Sequence, residues 1–285
     1  MSAGPVDSEA YEFVASGGLR VLRWPRLDST GVLDAVVTTR RGGVSDGVYD
    51  GLNLGLHVGD DPVAVIENRA RAATAIGLDL DDLVFSRQTH GSKVAQVGLP
   101  ERGRGTRSDS DALPDTDAVV TSTPGVGLVI MVADCVPIVL VDPIARVLGC
   151  VHAGWRGATQ RVVAAAVEKM VDVGAERSRM LVGMGPAIPA DRYQVGEDVL
   201  AAVTDAFAGE ADQVIRPDGT GRWLFDGWMA NLLALRDSGV AESNISLARL
   251  ATGQGEFFSD RASRPCGRFA VLAALKRPLP AHVSR

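Results

Sequence analysis

The centre of the chain holds four short runs, Ala118–Thr121, Val126–Ala133, Ile138–Val141 and Val147–His152, that are apolar at nearly every position and are broken by Pro124-Gly125, Asp134, Pro137 and Asp142-Pro143. A strand with one wet face alternates polar and apolar residues. A run that is apolar on both sides fits a strand covered from above and below. Such strands need helices or a second sheet as cover, so the chain is read as an α/β protein. With 285 residues and no linker-like stretch or internal repeat, it is read as one domain.

Covering elements are legible on either side. Asp61-Pro62 opens a helix in which Val65, Ile66, Arg69, Ala72, Ala73 and Ile76 follow helical spacing, with Gly77 as the stop; an acidic cap followed by proline suits a helix start. Residues 158–173 read as one amphipathic helix, and further helices are expected at 196–208 and 226–237. Strands are expected at 19–24, 32–39, 83–86, 180–184, 214–216, 223–225 and 245–250. Arg40 to Gly55 is glycine-rich and reads as tight turns. Residues 1–15 are expected to be disordered, 16–278 to form the domain and 279–285 to be a tail.

Composition excludes several classes. A net charge of −6 with no basic stripe argues against a nucleic-acid partner. No window approaches the ~18 uninterrupted apolar residues of a membrane span, and the acidic start lacks a signal-like apolar core. The expectation is a cytoplasmic protein that engages neither nucleic acid nor membrane. Three cysteines, Cys135, Cys150 and Cys266, in so long a chain do not make a disulfide framework.

Two of the apolar runs end in groups that bind metals. Val129 to Ala133 leads into Asp134-Cys135, and Val147 to Val151 leads into His152, followed by Ala153-Gly154-Trp155-Arg156-Gly157. His90 follows the expected strand at 83–86. Two imidazoles and a thiolate suit Zn²⁺, and three protein ligands leave the fourth position open, as in catalytic sites. Spacing alone does not decide this. No short ligand motif is present, a lone cysteine is most often a small buried hydrophobe, and a lone histidine is most often structural. Cys150 reads as core, Cys266 as incidental, and His57 as structural.

The motifs Thr38-Thr39-Arg40-Arg41-Gly42-Gly43-Val44-Ser45, Leu52-Asn53-Leu54-Gly55, His57-Val58-Gly59-Asp60, Gln88-Thr89-His90-Gly91, Ala133-Asp134-Cys135-Val136-Pro137 and His152-Ala153-Gly154-Trp155-Arg156-Gly157 occur in that order. In this the chain resembles the YfiH/YlmD family, also called the laccase-domain or polyphenol oxidase family, purine nucleoside phosphorylase and peptidoglycan editing factor. The resemblance runs from about Thr38 to Phe258. It implies a layered sandwich of mixed β-sheets flanked by helices. It also implies zinc held by His90, Cys135 and His152, phosphorolysis of adenosine, inosine, guanosine and methylthioadenosine, and deamination of adenosine. The family pattern has a Cys-Thr pair and then Phe-Phe-Ser-Tyr-Arg-Arg; this chain has Ala251-Thr252 and then Phe257-Phe258-Ser259-Asp260-Arg261-Ala262.

Phosphorolysis needs a seat for an oxyanion, and arginine offers paired N–H donors. Arg40, among glycines, and Arg69, on the helix after Asp61, are the candidates. Asn53 and Gln88 are candidates to hydrogen-bond sugar or base. Asp134 is a candidate to orient a ligand or shuttle a proton. Competing readings are a cysteine amidase editing a peptidoglycan precursor, with Cys135 attacking and His152 as base, and a binding module with a closed zinc site. A copper oxidase is less favoured: four histidines are too few for a multicopper set, and an axial methionine such as Met131 would have to reach the metal.

Overall fold

The structure is a computed structural model and describes residues 10–277. Two six-stranded sheets stack face to face. The first runs, edge to edge, through Glu12–Ser16, Leu19–Arg23, Leu33–Thr38, Phe269–Leu275, Gly127–Val132 and Leu83–Val84. The second runs through Ile245–Leu247, Leu181–Met184, Val136–Asp142, Val147–Ala153, Ala118–Thr121 and Val94–Gln96. Both are mixed: Leu83–Val84 runs parallel to Gly127–Val132, while Phe269–Leu275 is antiparallel to both of its neighbours. A small sheet of Gln194–Val195, Trp223–Phe225 and Ile215–Pro217 stands apart.

Alternation along each strand divides the core into layers. Val37, Leu128, Ile130, Val271 and Ala273 of the first sheet pack between the sheets against Val139, Val141, Leu148 and Cys150 of the second. The outer face of the first sheet (Val36, Val129, Met131, Leu272) meets Ala72 and Ala73 of the helix Pro62–Thr74. Asp61 caps that helix, its side chain accepting from the Val63 N–H at 3.0 Å; such a cap is worth about 1 kcal/mol. The outer face of the second sheet (Val120, Ile138, Leu140, Val151) meets the helices Val162–Asp172 and Gly227–Asp237. The result is the layered sandwich that the family resemblance implies, in a single domain.

Three expectations change, and one strand joins those expected. Residues 12–15 are not disordered; they pair with Leu19–Arg23 in a hairpin closed by Gly17-Gly18. Residues 1–9 and the tail lie outside the described residues. The helix expected over 158–173 is two helices, Trp155–Thr159 and Val162–Asp172. The break is at Arg161, held at φ 58° with its guanidinium bonded to Ala206 O and Asp237. The interruption after Cys135 falls at Asp134 (φ 101°), and Pro137 lies inside the strand Val136–Asp142, opposite His152. Phe269–Leu275, which the sequence reading passed over, fills the middle of the first sheet with every residue buried.

The chain crosses between the sheets three times at one end of the sandwich, the last time through residues 248–268. Residues 133–135 lead from Gly127–Val132 to Val136–Asp142, and residues 85–93 lead from Leu83–Val84 to Val94–Gln96. Cys135 lies on the 133–135 crossing and His90 on the 85–93 crossing.

Candidate metal centre

His90, Cys135 and His152 meet where those crossings pass the end of the strand Val147–Ala153. One ligand atom from each lies within 4.8 Å of the others, and the two imidazole centroids are 4.7 Å apart. Cys135 and His152 converge, though not by pairing of the two runs that carry them. Gly127–Val132 belongs to the other sheet; Cys135 arrives at the head of Val136–Asp142, whose first residue pairs with Ala153.

One carboxylate organises the centre. Asp117, fully buried, accepts the backbone N–H of His90 at 2.9 Å and of Gly91 at 2.8 Å, and both N–H and hydroxyl of Thr89 at 3.2 Å. Its Oδ1 also lies 2.8 Å from His152 Nδ1. These bonds stabilise the left-handed backbone of His90 (φ 62°), and they commit Nδ1 of His152, which leaves Nε2 to face a ligand. Burial would raise the Asp117 carboxyl, but the His152 ring and the Gly91 and Thr89 N–H groups outweigh it and hold the carboxyl below its usual value.

The donor set fits a borderline-soft cation. Burial opposes ionisation of Cys135, yet the charge and hydrogen bonding of His152, with His90 behind it, hold the thiol well below its ordinary value. His152 is raised in turn: burial opposes its charge, and Cys135 and Asp117 overcome that. A thiolate between two imidazoles is a zinc donor set with an open side. Close approach needs Gly154, since a Cβ there would come within 2.8 Å of His90 Cδ2 and 3.0 Å of Cys135 Sγ. The sulfur of Met131 instead lies 3.7 Å from an Arg69 Nη. Cys150, in contrast, is pushed far up by burial alone and belongs to the core.

The centre opens into a cleft of about 940 Å³. Trp155, Ile188, Tyr193, Val195 and Val199 give it an apolar wall, and Gln88, Asp134 and several arginines give it polar groups. Gln88 lines it while its amide clasps the Met131 backbone, donating to the carbonyl at 2.7 Å and accepting from the N–H at 2.9 Å. Asp134 also lines it; its carboxylate accepts from the Thr252 hydroxyl at 2.5 Å and the Arg261 backbone N–H at 2.7 Å.

Arg40, Asn53 and Arg69 are not brought to the cleft. Arg40 donates to the Asp50 carbonyl and lies over the Phe258 ring at 4.7 Å. Asn53, fully buried, bonds Asp60 and the Arg268 N–H at 2.8 Å each. Arg69, fully buried, donates to the carbonyls of Leu54, Gly105 and Thr106 and stacks on Phe85. Burial lowers its guanidinium to about 10, against the weaker pull of Asp109. A guanidinium spent on three carbonyls is holding loops together.

Several cleft residues went unread in the sequence. His57, expected to be structural, is exposed and lines the cleft, its ring held below its usual value by partial burial and by Arg268. Tyr193 lines it too; burial, with the Cys135 sulfur nearby, pushes its phenol up. Asp117 carried a usable signal: like Asp134, it is an acid beside a run apolar on both faces.

Comparison with known proteins agrees with this geometry. Residues 34–276 match the family model described as multi-copper polyphenol oxidoreductase laccase. The chain is 41% identical to a purine nucleoside phosphorylase of Deinococcus radiodurans, over 91% of this chain and 94% of that protein. It is 40% identical to adenosine deaminase RL5 of an unknown prokaryotic organism, over 75% and 81%. Among solved structures, YlmD of Geobacillus stearothermophilus superposes with a TM-score of 0.88 at 32% identity, covering 94% of this chain and 100% of that one. With its sandwich and six ordered motifs, the chain belongs to the YfiH/YlmD family of laccase-domain proteins.

Proposed function

We propose that the protein is a zinc-dependent purine nucleoside phosphorylase acting on adenosine, inosine, guanosine and methylthioadenosine, with adenosine deaminase activity besides. The observation that carries this reading is the His90–Cys135–His152 cluster on the wall of a cleft large enough for a nucleoside. Relatives named for both activities support it. In phosphorolysis a phosphate oxygen bonds to C1′ of the sugar as the bond from C1′ to the purine nitrogen breaks. The electron pair leaves with the base, which takes up a proton, and the products are free purine and sugar 1-phosphate. Zinc held by the three ligands would supply a Lewis-acid centre for charge that develops in the reaction.

The protein's own groups do the rest. Asp117 fixes the His152 ring and the backbone that carries His90. Trp155 and Tyr193 give a purine an apolar wall, and Gln88 shapes that wall through Met131. Arg40, Asn53 and Arg69 act through the loops they hold, and Asp134 acts by docking residues 252–261 against the centre. A thiolate ligand suits a reducing, cytoplasmic setting, and among the described residues no helix is long and apolar enough to cross a membrane.

A second reading is favoured by one observation, the lowered Cys135 thiol beside His152. This is the pairing of a cysteine amidase, in which the thiolate attacks an amide carbonyl of a peptidoglycan precursor. Metal separates the two, because a zinc-bound thiolate is a poor free nucleophile. The zinc-loaded protein, incubated with each nucleoside and phosphate, should release purine base and sugar phosphate, and inosine from adenosine. Absence of all of these products would sink the leading reading.

A further inference from the structure

Five arginines line the cleft: Arg87, Arg156, Arg261, Arg264 and Arg268. Three are engaged by carboxylates. Arg87 pairs with Asp115 at 3.0 Å; Arg264 pairs with Asp260; Arg268 reaches Asp260 at 3.4 Å and also bonds the carbonyls of Cys266 and Gly267. Among the described residues, the guanidinium groups of Arg156 and Arg261 have no carboxylate within 4.0 Å. Asp198, on the same cleft, forms no ion pair with either.

Both cations are held in place by aromatic rings. Arg156 lies 4.4 Å over Trp155. Arg261 lies 5.4 Å over Tyr193 and donates one Nη to the Gln194 carbonyl at 3.1 Å. Trp155 and Tyr193 line the same cleft. Stacking occupies the face of a guanidinium and leaves its N–H donors, which lie in the plane, free for two parallel bonds to an oxyanion.

Both are also tied to the metal centre. Trp155 and Arg156 follow Gly154, which packs against His90 and Cys135. The backbone N–H of Arg261 is bonded to Asp134, the neighbour of Cys135. Arg40 and Arg69 also lie over aromatic rings, but their donors are spent on backbone carbonyls and neither lines the cleft.

We propose that Arg156 and Arg261 form the oxyanion subsite of this cleft and seat inorganic phosphate beside the metal centre. The assignment rests on the phosphorolysis reading for its role in turnover, and on geometry alone for binding. Arg261 thereby acquires a function in the segment where this chain departs most from the family pattern.

The test uses the zinc-loaded protein and the variants Arg156→Ala, Arg261→Ala and Arg156→Lys. In phosphorolysis each alanine variant should raise KM for phosphate about tenfold or more, with KM for nucleoside changed by less than about threefold. Lysine should recover part of the loss. Independently of turnover, inorganic phosphate should raise the Tm of the parent protein, and the alanine variants should lose that shift while keeping their zinc. If the parent makes no sugar phosphate but its phosphate-dependent Tm shift is lost in the variants, the subsite stands and the reaction assignment falls. If both alanine variants keep the parent's KM for phosphate and its Tm shift, the subsite assignment is overturned.

Discussion

Asp117 Oδ1 lies 2.8 Å from His152 Nδ1 and accepts the His90 backbone N–H at 2.9 Å, so one buried carboxylate orients the His152 ring and fixes the backbone that carries His90. Carboxylates placed behind metal-bound histidines typically govern affinity by about 10- to 100-fold. Asp117→Asn is expected to weaken zinc binding by about that factor. Competition with a chromophoric chelator measures it, and unchanged affinity would mean that Asp117 only shapes the 89–91 loop.

Removing metal should abolish nucleoside turnover, and re-adding zinc should restore it. Cys135→Ala should lose both bound zinc and turnover, because two imidazoles are left where three ligands stood. The informative result is hydrolysis of an amide substrate after chelation: if it persists in the parent and disappears in Cys135→Ala, the amidase reading takes over.

Gly154→Ala is a steric test of the cluster. The added methyl would lie 2.8 Å from His90 Cδ2 and 3.0 Å from Cys135 Sγ, and Gly154 has φ −76°, so backbone strain is not at issue. The expected outcome is reduced zinc content in a protein whose thermal transition without metal is nearly that of the parent. Full zinc occupancy would show that the ligands can spread further than their packing suggests.

Arg69→Met should cost stability and leave recognition alone. It strips donors from the buried carbonyls of Leu54, Gly105 and Thr106, and leaving such groups unpaired costs about 1–3 kcal/mol each. Denaturant unfolding should show the loss, while KM values for nucleoside and phosphate stay near those of the parent. A raised KM at full folding would return Arg69 to the list of ligand contacts.

Acid sensitivity should have a component far from the metal. Asp142, fully buried, accepts from the N–H groups of Ile144, Ala145 and Glu176 and from Arg179. Burial opposes its charge, but these bonds hold its carboxyl below 3.8. A folded-state pKa below the unfolded one gives stability that is present above the unfolded value and is lost as pH falls through the folded one. Asp142→Asn should therefore be less stable at pH 7, and its stability should fall less than the parent's as pH drops from about 5. Parallel curves for the two proteins would count against this origin.

The sequence by itself determined what is local. Apolar runs without alternation became strands buried on both faces, because such strands cannot tolerate water, and Asp61-Pro62 opened its helix as an acid and a proline should. The three candidate ligands stood out as chemically distinctive groups next to turns, and the six ordered motifs with their family resemblance joined them into one site. What only the tertiary structure decided depends on register and on crossings between sheets. Pairing of Ala118 with Val151 sets Asp117 opposite His152, and a slip of one residue would turn it to the other face. Arg69 and Arg261 are the same residue type and could not be told apart along the chain; packing buried one against three carbonyls and left the other stacked at the rim of the cleft. Distances of this kind join residues far apart in sequence, and no local pattern records them.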